Sequence, residues 1–382
     1  MTVTENTTGP IPEATPSASP TPKRPVLTWH GLKTVAQLEL MQRVRSSRWK
    51  TTLLLWFIGV GAICVLIATA IQANSYGTRP VGAAIFAANV YFILFMGLLI
   101  TPTLSSTAIN GDRDKGTLAI LQASLLTPLE ITLGKLAASW FASLAFLFVS
   151  VPFIFWAFAA GGVSARAVFS SLIMMAFLLL VVCAVSLYFS ARTPKLAGST
   201  VSSYGFVAFT CLISLIIWGL LLATVTSTVT VRQYSGVDYD SVTGDPTRCE
   251  MSTYTEQRTH QDKFWPLLAL NPFVLVADVS APQVSEFDSR VYQDEYLREL
   301  ASGVRQTRLS DAFTYTDSWC TEDGQIRTRQ EYNDYQAISK VGDPVWPVGV
   351  AIHLVIGGLA VWRTTKRLST PYAELPKGVR IA

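Results

Sequence analysis

Six long runs of apolar residues constrain this sequence more than any other feature. They cover residues 51–72, 82–104, 136–161, 167–190, 201–226 and 345–362, and none of them contains Asp or Glu. A helix needs about 20 apolar residues to cross a bilayer, and all but the last run reach that length. The last run is followed by Arg363, Lys366 and Arg367, whose long side chains can reach the headgroups. The sequence therefore predicts an all-α membrane protein with six transmembrane helices.

Composition supports this class, and the distribution of charge predicts the orientation. The chain is 50% hydrophobic and 15% charged, whereas soluble domains carry about 25% charged residues. Lys and Arg concentrate before position 51, between 104 and 135, and after 362, so the positive-inside rule places both termini in the cytoplasm. The insertion at 227–344 then lies outside. It carries 19 Asp and Glu against 11 Lys and Arg, a net of −8, which leaves +12 on the remainder because the whole chain is +4.

Two tails and one further helix flank the spans. Residues 1–30 are rich in Pro, Ser and Thr, which predicts a disordered cytoplasmic tail because such a segment has too little apolar surface to fold. Residues 31–50 predict an interfacial elbow helix, with the alternative of a soluble amphipathic helix. Their apolar residues recur at helical spacing among basic ones: Leu32, Val35, Leu38 and Met41. Residues 363–382 are predicted to form a second cytoplasmic tail.

The insertion between the fifth and sixth spans leaves several alternatives open. Cys249 and Cys320 both lie in it, and an oxidising exterior permits a disulfide between them, although two free thiols are the alternative. Residues 264–279 are apolar but interrupted by two prolines. They predict short helices at the outer leaflet or a re-entrant element, and a true seventh span would place the basic tail outside. Residues 292–304 predict a soluble helix, and the remainder of the insertion favours strands.

The segment 111–135, GDRDKGTLAILQASLLTPLEITLGK, is the candidate functional site within a predicted cytoplasmic loop at 105–135. An apolar stripe recurs at helical spacing in it: Leu118, Leu121, Leu125 and Ile131, widened by Ile120 and Leu126. Gly116 permits a sharp turn. Thr127 is expected to end the helix, because a residue that precedes a proline, here Pro128, avoids the α region. A helix with an uncovered apolar stripe predicts docking onto a partner.

The motifs in this loop resemble those of permease subunits in ABC-2-type transporters. They are Asp112-Arg113-x-x-Gly116-Thr117-Leu118, then Leu125-x-Thr127-Pro128-Leu129, then Gly134-Lys135. Asp112 stands where that family usually has Glu, and the Leu-Leu-Thr-Pro run lacks one spacer residue. The run Leu270-Asn271-Pro272-Phe273 also resembles a motif that follows the fifth span in such permeases. The resemblance covers most of the chain.

The resemblance implies that this loop carries a coupling helix for a separate ATP-hydrolysing subunit. It assigns Asp112 and Arg113 to the docking contact, Gly116 and Thr117 to its entry turn, and Leu118, Leu121 and Leu125 to a groove on the ATPase. Two permease chains, identical or homologous, would pair in the plasma membrane of a bacterium. Export is the expected direction, and ATP and Mg²⁺ would be bound by the partner.

Other function classes lack the motifs that they need. No GxxxxGK[ST], HExxH or GxSxG pattern occurs, so we expect no catalytic residue, no metal site, no cofactor and no nucleic-acid partner. An ion-driven transporter would need carboxylates within its spans. His353 is the ionisable group in a predicted span and is a candidate for the substrate pathway, with a hydrogen-bonded packing residue as the alternative. A membrane-anchored receptor or sensor that acts through the insertion is the alternative function.

Overall fold

The computed structural model describes residues 27–74, 81–124, 126–242, 244–281, 295–308, 314–316, 319–321, 323–328, 331–332 and 343–369. Residues 1–26 and 370–382 of the predicted tails lie outside this part of the chain, as does Leu125. The fold is therefore built from the spans, the loop at 105–135 and most of the insertion.

The chain is mostly helical, and six helices are long and apolar enough to cross a membrane, as predicted. The helices are α1 (Trp29–Val44), α2 (Ser47–Asn74), α3 (Val81–Ser105), α4 (Asn110–Asp114), α5 (Thr117–Ala123), α6 (Pro128–Ala159), α7 (Ala165–Arg192), α8 (Leu196–Ala208), α9 (Ser214–Thr224), α10 (Pro272–Ser280), α11 (Glu295–Gln306) and α12 (Trp346–Leu368). The six spanning elements are α2, α3, α6, α7, α12 and the continuous pair α8–α9, which a π-helical turn at Phe209–Ile213 joins.

Successive spans run in opposite directions, so the connections gather at two ends of the bundle. The loop end carries α1, α4 and α5, and the insertion end carries the described part of residues 227–344. Helix α7 lies at the centre and packs against α3, α6, α10 and α12. The apolar window of α7 is 61% buried, against 22% for α2 and 17% for α8–α9. Helices α2 and α8–α9 therefore present the most apolar surface outward, as expected of helices that face lipid.

Helix α1 crosses α6 at very close range because glycine lies at the crossing. A Cβ atom added to Gly134 of α6 would lie 2.6 Å from Cβ of Val35 in α1. Val35 and its neighbour Ala36 are buried, whereas Leu38 and Met41 are 49% and 51% exposed. The predicted stripe of α1 therefore divides, with Val35 facing α6 and the later positions facing outward.

We expect Gly134→Ala to lower the free energy of unfolding by about 1–3 kcal/mol, since the added methyl group forces α1 away from α6. Gly205→Ala in α8 is the matched control, because nothing lies within 4 Å of a Cβ atom added there. Alanine at an open helical site gains helix propensity, so the control should be neutral or stabilising. Thermal unfolding of the purified variants in detergent distinguishes the two, and equal stability would refute the close crossing.

The insertion contains β-structure, so the all-α description applies to the bundle and not to the whole chain. Strands β1 (Thr226–Tyr239) and β2 (Pro246–Thr259) form an antiparallel hairpin. The short strand β3 (Thr314–Thr316) pairs parallel with β1, giving the order β2-β1-β3. Cys249 of β2 is joined to Cys320 by a disulfide. The hairpin strand is thereby tied to a segment 71 residues later in the chain.

The apolar segment that begins at 264 folds back into the protein and does not form a seventh span. It makes a 3₁₀ turn at Trp265–Leu270 and the nine-residue helix α10, which is too short to cross a bilayer. Helix α10 is buried along most of its length. Asn271 caps it by accepting hydrogen bonds from the backbone N–H groups of Phe273 and Val274, and its Nδ2 donates to the Cys211 carbonyl at 2.8 Å. That carbonyl lies in the π-helical turn of the fifth span.

One buried carboxylate joins three elements at the insertion end. Asp278 of α10 accepts a hydrogen bond from Nε of Arg305 in α11 at 2.5 Å. Its second oxygen accepts from the backbone N–H groups of Val345 and Trp346, both at 2.7 Å, at the start of α12. The Asp278 side chain is 0% exposed. Helices α10, α11 and α12 are therefore fixed to one another through a single side chain.

Candidate docking site at the loop end

The loop between the second and third spans consists of two short helices, where the sequence predicts one. Helix α4 ends at Asp114 and α5 begins at Thr117. Gly116 separates them with a φ of +73°, a conformation that glycine adopts without steric cost. The sharp turn predicted at this glycine is thus present, and it sets the direction in which α5 leaves α4.

Thr127 and Pro128 begin the third span, and α5 has already ended at Ala123. The Thr127 hydroxyl accepts from the Glu130 backbone N–H at 3.3 Å. The Glu130 carboxylate accepts in return from the Thr127 N–H at 2.7 Å. This pair is a capping box, and proline suits the first helical position because its missing N–H has no partner there. Thr127 is extended, with φ −79° and ψ 153°, as predicted for a residue before proline. Because α5 has already ended at Ala123, Thr127-Pro128 begins the next helix and does not end the helix of the loop.

A buried ion cluster fixes the loop to α1 and α6. The ammonium group of Lys135 in α6 pairs with Glu39 of α1 and with Asp112 of α4. It also donates to the carbonyl of Ala108 at 3.1 Å. The Lys135 side chain is 0% exposed, and those of Glu39 and Asp112 are 15% and 21% exposed. A lysine so deeply buried needs partners, and here they come from α1, α4 and the turn that precedes α4.

A second carboxylate reinforces the contact between α1 and α6. Glu130 is buried, and the oxygen that does not serve the capping box accepts from the Thr28 backbone N–H at 2.6 Å and from the Thr28 hydroxyl. Thr28 is the N-cap of α1, and its hydroxyl oxygen accepts from Gly31. One glutamate therefore completes the N-terminal caps of both helices, which places the beginnings of α1 and α6 side by side.

Hydroxyl and amide groups fix the other side of the loop to α7 and α8. The hydroxyl of Ser190 accepts from the backbone N–H groups of Ile109 and Asn110 at 3.0 and 3.1 Å. The Asn110 side chain donates to Ser199 at 3.0 Å, and Ser199 donates to the Ser106 carbonyl at 2.8 Å. All these side chains are buried. The loop is therefore bonded to spans on both of its sides.

The apolar residues of α5 face in two directions. Leu118 is 6% exposed and belongs to a buried cluster with Ile109, Ile131 and Leu136. Leu121 and Leu126 pack against the same cluster while partly buried. Ile120 is 72% exposed. Among the described side chains of α5, the exposed apolar one is therefore Ile120, whereas Leu118 anchors α5 to the rest of the protein.

Of the remaining predicted docking residues, some point into the protein and others are exposed. Asp112 points inward to Lys135, and Arg113 is partly buried. Thr117 is exposed, and its hydroxyl donates to the Asp112 carbonyl at 3.2 Å. At the far end of α5, Gln122 donates to the Leu368 carbonyl at 3.1 Å, which connects the loop to the last span. Among the described residues from Asp114 to Ser124, the exposed ones are thus Ile120 and the polar residues Asp114, Lys115, Thr117, Gln122 and Ser124.

His353 does not lie with the loop. It is 2% exposed in α12, and its Nδ1 lies 2.8 Å from the Gly349 carbonyl of the preceding turn. This local hydrogen bond fits the packing alternative, because it satisfies one ring nitrogen within the same helix. Within the residues that the structure describes, no group of three His, Cys, Asp or Glu side chains is placed to hold a metal ion.

Several residues that organise the loop are absent from the prediction made from sequence. Glu130 had a readable signal, because the run from Thr127 to Glu130 has the T-x-x-E spacing of a capping box. Lys135 is recognisable in the sequence only as part of a motif. Nothing local predicts that it pairs with Glu39, which lies 96 residues earlier in the chain. The serine partners Ser190 and Ser199 lie in spans where serine is common, so no local pattern distinguishes them.

No family model matches this chain, and no curated protein matches it.

Proposed function

We propose that this chain is the membrane-spanning subunit of an ATP-driven transporter of the ABC-2 type, and that the loop end docks onto a separate ATPase subunit. One observation carries the proposal: α5 presents the exposed Ile120 while buried hydrogen bonds and ion pairs join its loop to the spans. Exposed isoleucine within a polar rim is the composition of a small protein–protein contact. The motif resemblance at Asp112-Arg113 and Gly116-Thr117 supplies the identity of the partner.

The proposed mechanism is a rigid-body transfer of motion. ATP and Mg²⁺ are bound by the partner, and closure of the ATPase dimer displaces α5. Lys135 passes the displacement to α1 and α6, while Ser190 and Asn110 pass it to α7 and α8. Packed helices switch between discrete arrangements and do not deform continuously, so a movement of a few ångströms at α5 would repack the spans around the substrate.

The proposed assembly contains two permease chains, the same or homologous, with two ATPase subunits, and it works as an exporter in a bacterial plasma membrane. The loop end is cytoplasmic in this arrangement, and the insertion lies outside. The disulfide between Cys249 and Cys320 supports that orientation, because disulfides persist in oxidising compartments and are rare in the cytosol.

Ile120→Asp is expected to reduce co-purification of the ATPase by about tenfold or more, since a charge at the centre of an apolar contact removes a hot-spot residue. Val242→Asp is the matched control, because Val242 is 90% exposed at the insertion end and the chemical change is similar. The measurement is affinity purification of the full chain in mild detergent from its native cells, followed by mass spectrometry of the associated proteins.

Both variants should fold, because both side chains are exposed in the free chain. A permease that retains its ATPase with Asp at 120 would contradict docking through α5. If no ATPase co-purifies with the native chain while its bundle remains intact, the proposed function is contradicted. A sensor role for the insertion would then be the function to test.

A further inference from the structure

A groove opens at the loop end, between the junction of α1 with α2 and the end of α3, and its lining is partly basic and partly apolar. It is an open depression of about 370 Å³. The residues that line it are Arg43, Ser46, Arg48, Trp49, Thr52, Thr103, Leu104 and Thr107. Two arginines and four hydroxyl groups contribute to this lining, and no acidic residue is among the described residues that form it. The Thr52 and Thr103 hydroxyls donate to the Arg48 and Ile100 carbonyls of their own helices. Arg48 and the Ser46 and Thr107 hydroxyls therefore supply the charge and the donors that a phosphate group requires.

Arg43 is held in place on one side of the groove. Its Nη2 donates to the Leu104 carbonyl at 2.8 Å and to the Ser139 hydroxyl at 3.3 Å. Its Nη1 is buried and has no hydrogen-bond partner within the part of the chain that the structure describes. Burial lowers the pKa of the Arg43 guanidinium, and the neighbouring Glu39 acts in the opposite direction. Since Glu39 also pairs with Lys135, one carboxylate is shared between two cations, and the charge of Arg43 is only partly offset.

The groove lies where a membrane-spanning helix begins. Trp49 lines it and packs edge-to-face against Phe146, and tryptophan is enriched at the level of the headgroups. Immediately beyond Thr52, the side chains of Leu54 and Leu55 are 58% and 64% exposed along α2. Charge and hydroxyl groups thus give way within one turn of helix to an exposed apolar surface.

We propose that this groove binds the phosphodiester headgroup of an anionic phospholipid. Arg48 pairs with the phosphate, the Ser46 and Thr107 hydroxyls donate to the headgroup, and the acyl chains lie along Leu54 and Leu55. Arg43 adds positive charge beside them. The exposed leucines distinguish a lipid from a soluble phosphate, because a soluble anion makes no use of them. Basic pockets beside transmembrane helices are a recurrent means of binding anionic lipid. The site is independent of the ATPase proposed above.

The test uses Arg48→Gln with Arg45→Gln as its matched control. Both arginines are exposed, and Arg45 is not part of the lining. Native mass spectrometry of the detergent-purified full chain is carried out during titration with phosphatidylglycerol, with phosphatidylcholine of the same chain length, and with inorganic phosphate. Thr52→Trp is a second variant, which fills the groove without changing its charge.

The proposal predicts that phosphatidylglycerol binds more tightly than phosphatidylcholine, and that Arg48→Gln weakens it by about tenfold, the typical scale for one charge-assisted hydrogen bond. Arg45→Gln should bind like the native chain, and Thr52→Trp should lose the preference. Three results would each overturn the proposal. They are equal binding of the two lipids, unchanged phosphatidylglycerol binding by Arg48→Gln, and loss of the lipid preference when inorganic phosphate is added. Because ATPase recovery is not measured, failure here would leave the docking proposal unaffected.

Discussion

Lys135→Met is expected to lower the free energy of unfolding by about 3–5 kcal/mol, the range measured when one partner of a buried ion pair is removed. Methionine matches the length of the lysine stem but leaves Glu39 and Asp112 without the ammonium group that they share. Both carboxylates retain some exposure, 15% and 21%, which places the effect toward the lower limit of that range. Thermal unfolding in detergent is the measurement, reported as the apparent melting temperature and its enthalpy.

Two further variants identify the cause of the Lys135 effect. Lys33→Met removes an exposed lysine from α1 and should change stability by less than about 0.5 kcal/mol. Adding Asp112→Asn and Glu39→Gln to Lys135→Met should restore part of the loss, because the unpaired charges are then removed. Equal stability of the Lys135 and Lys33 variants would show that the cluster does not fix the loop to α1 and α6.

Asp278→Ala should produce the second large effect, again about 3–5 kcal/mol. The change leaves the buried guanidinium of Arg305 without its carboxylate and exposes the N–H groups of Val345 and Trp346 to an apolar surrounding. Because three helices meet at this carboxylate, α11 should separate from α10. Faster trypsin cleavage after Arg305, which is 3% exposed in the native chain, measures that separation directly.

Asp343→Ala is the matched control for this change. Asp343 is exposed and lies two residues before Val345, so its loss should alter stability by less than about 0.5 kcal/mol. If trypsin cleaves the Asp278 and Asp343 variants at the same rate, the carboxylate does not join α11 to the bundle.

The spans could be predicted from sequence because the bilayer imposes a simple rule. A run of about 20 apolar residues without acidic groups has few other outcomes. The insertion follows no such rule, since its strands are polar and its buried helix α10 is only nine residues long. Burial of α10 depends on Asn271 reaching the Cys211 carbonyl 60 residues earlier, and no local pattern reports a contact at that distance.

The loop at 105–135 shows the same division between local and distant information. Apolar spacing correctly predicted a short helix around Leu118 and Leu121. It could not tell which apolar side chains face the parent protein, because Ile120 and Leu118 differ in position and not in chemistry. Their exposures of 72% and 6% follow from the placement of α6 and α7 beneath the loop. The inward direction of Asp112 likewise depends on Lys135, which lies 23 residues later.

Photo-crosslinking from position 120 in intact cells tests the central claim most directly. A photoreactive amino acid replaces Ile120 in one variant and Val242 in a second variant. The proteins crosslinked to each variant are identified by mass spectrometry. The account predicts an ATP-hydrolysing protein crosslinked at 120 and not at 242, because only the first position lies on the docking face. Absence of an ATPase at 120 in a folded chain, or equal crosslinking at both positions, would contradict docking through α5.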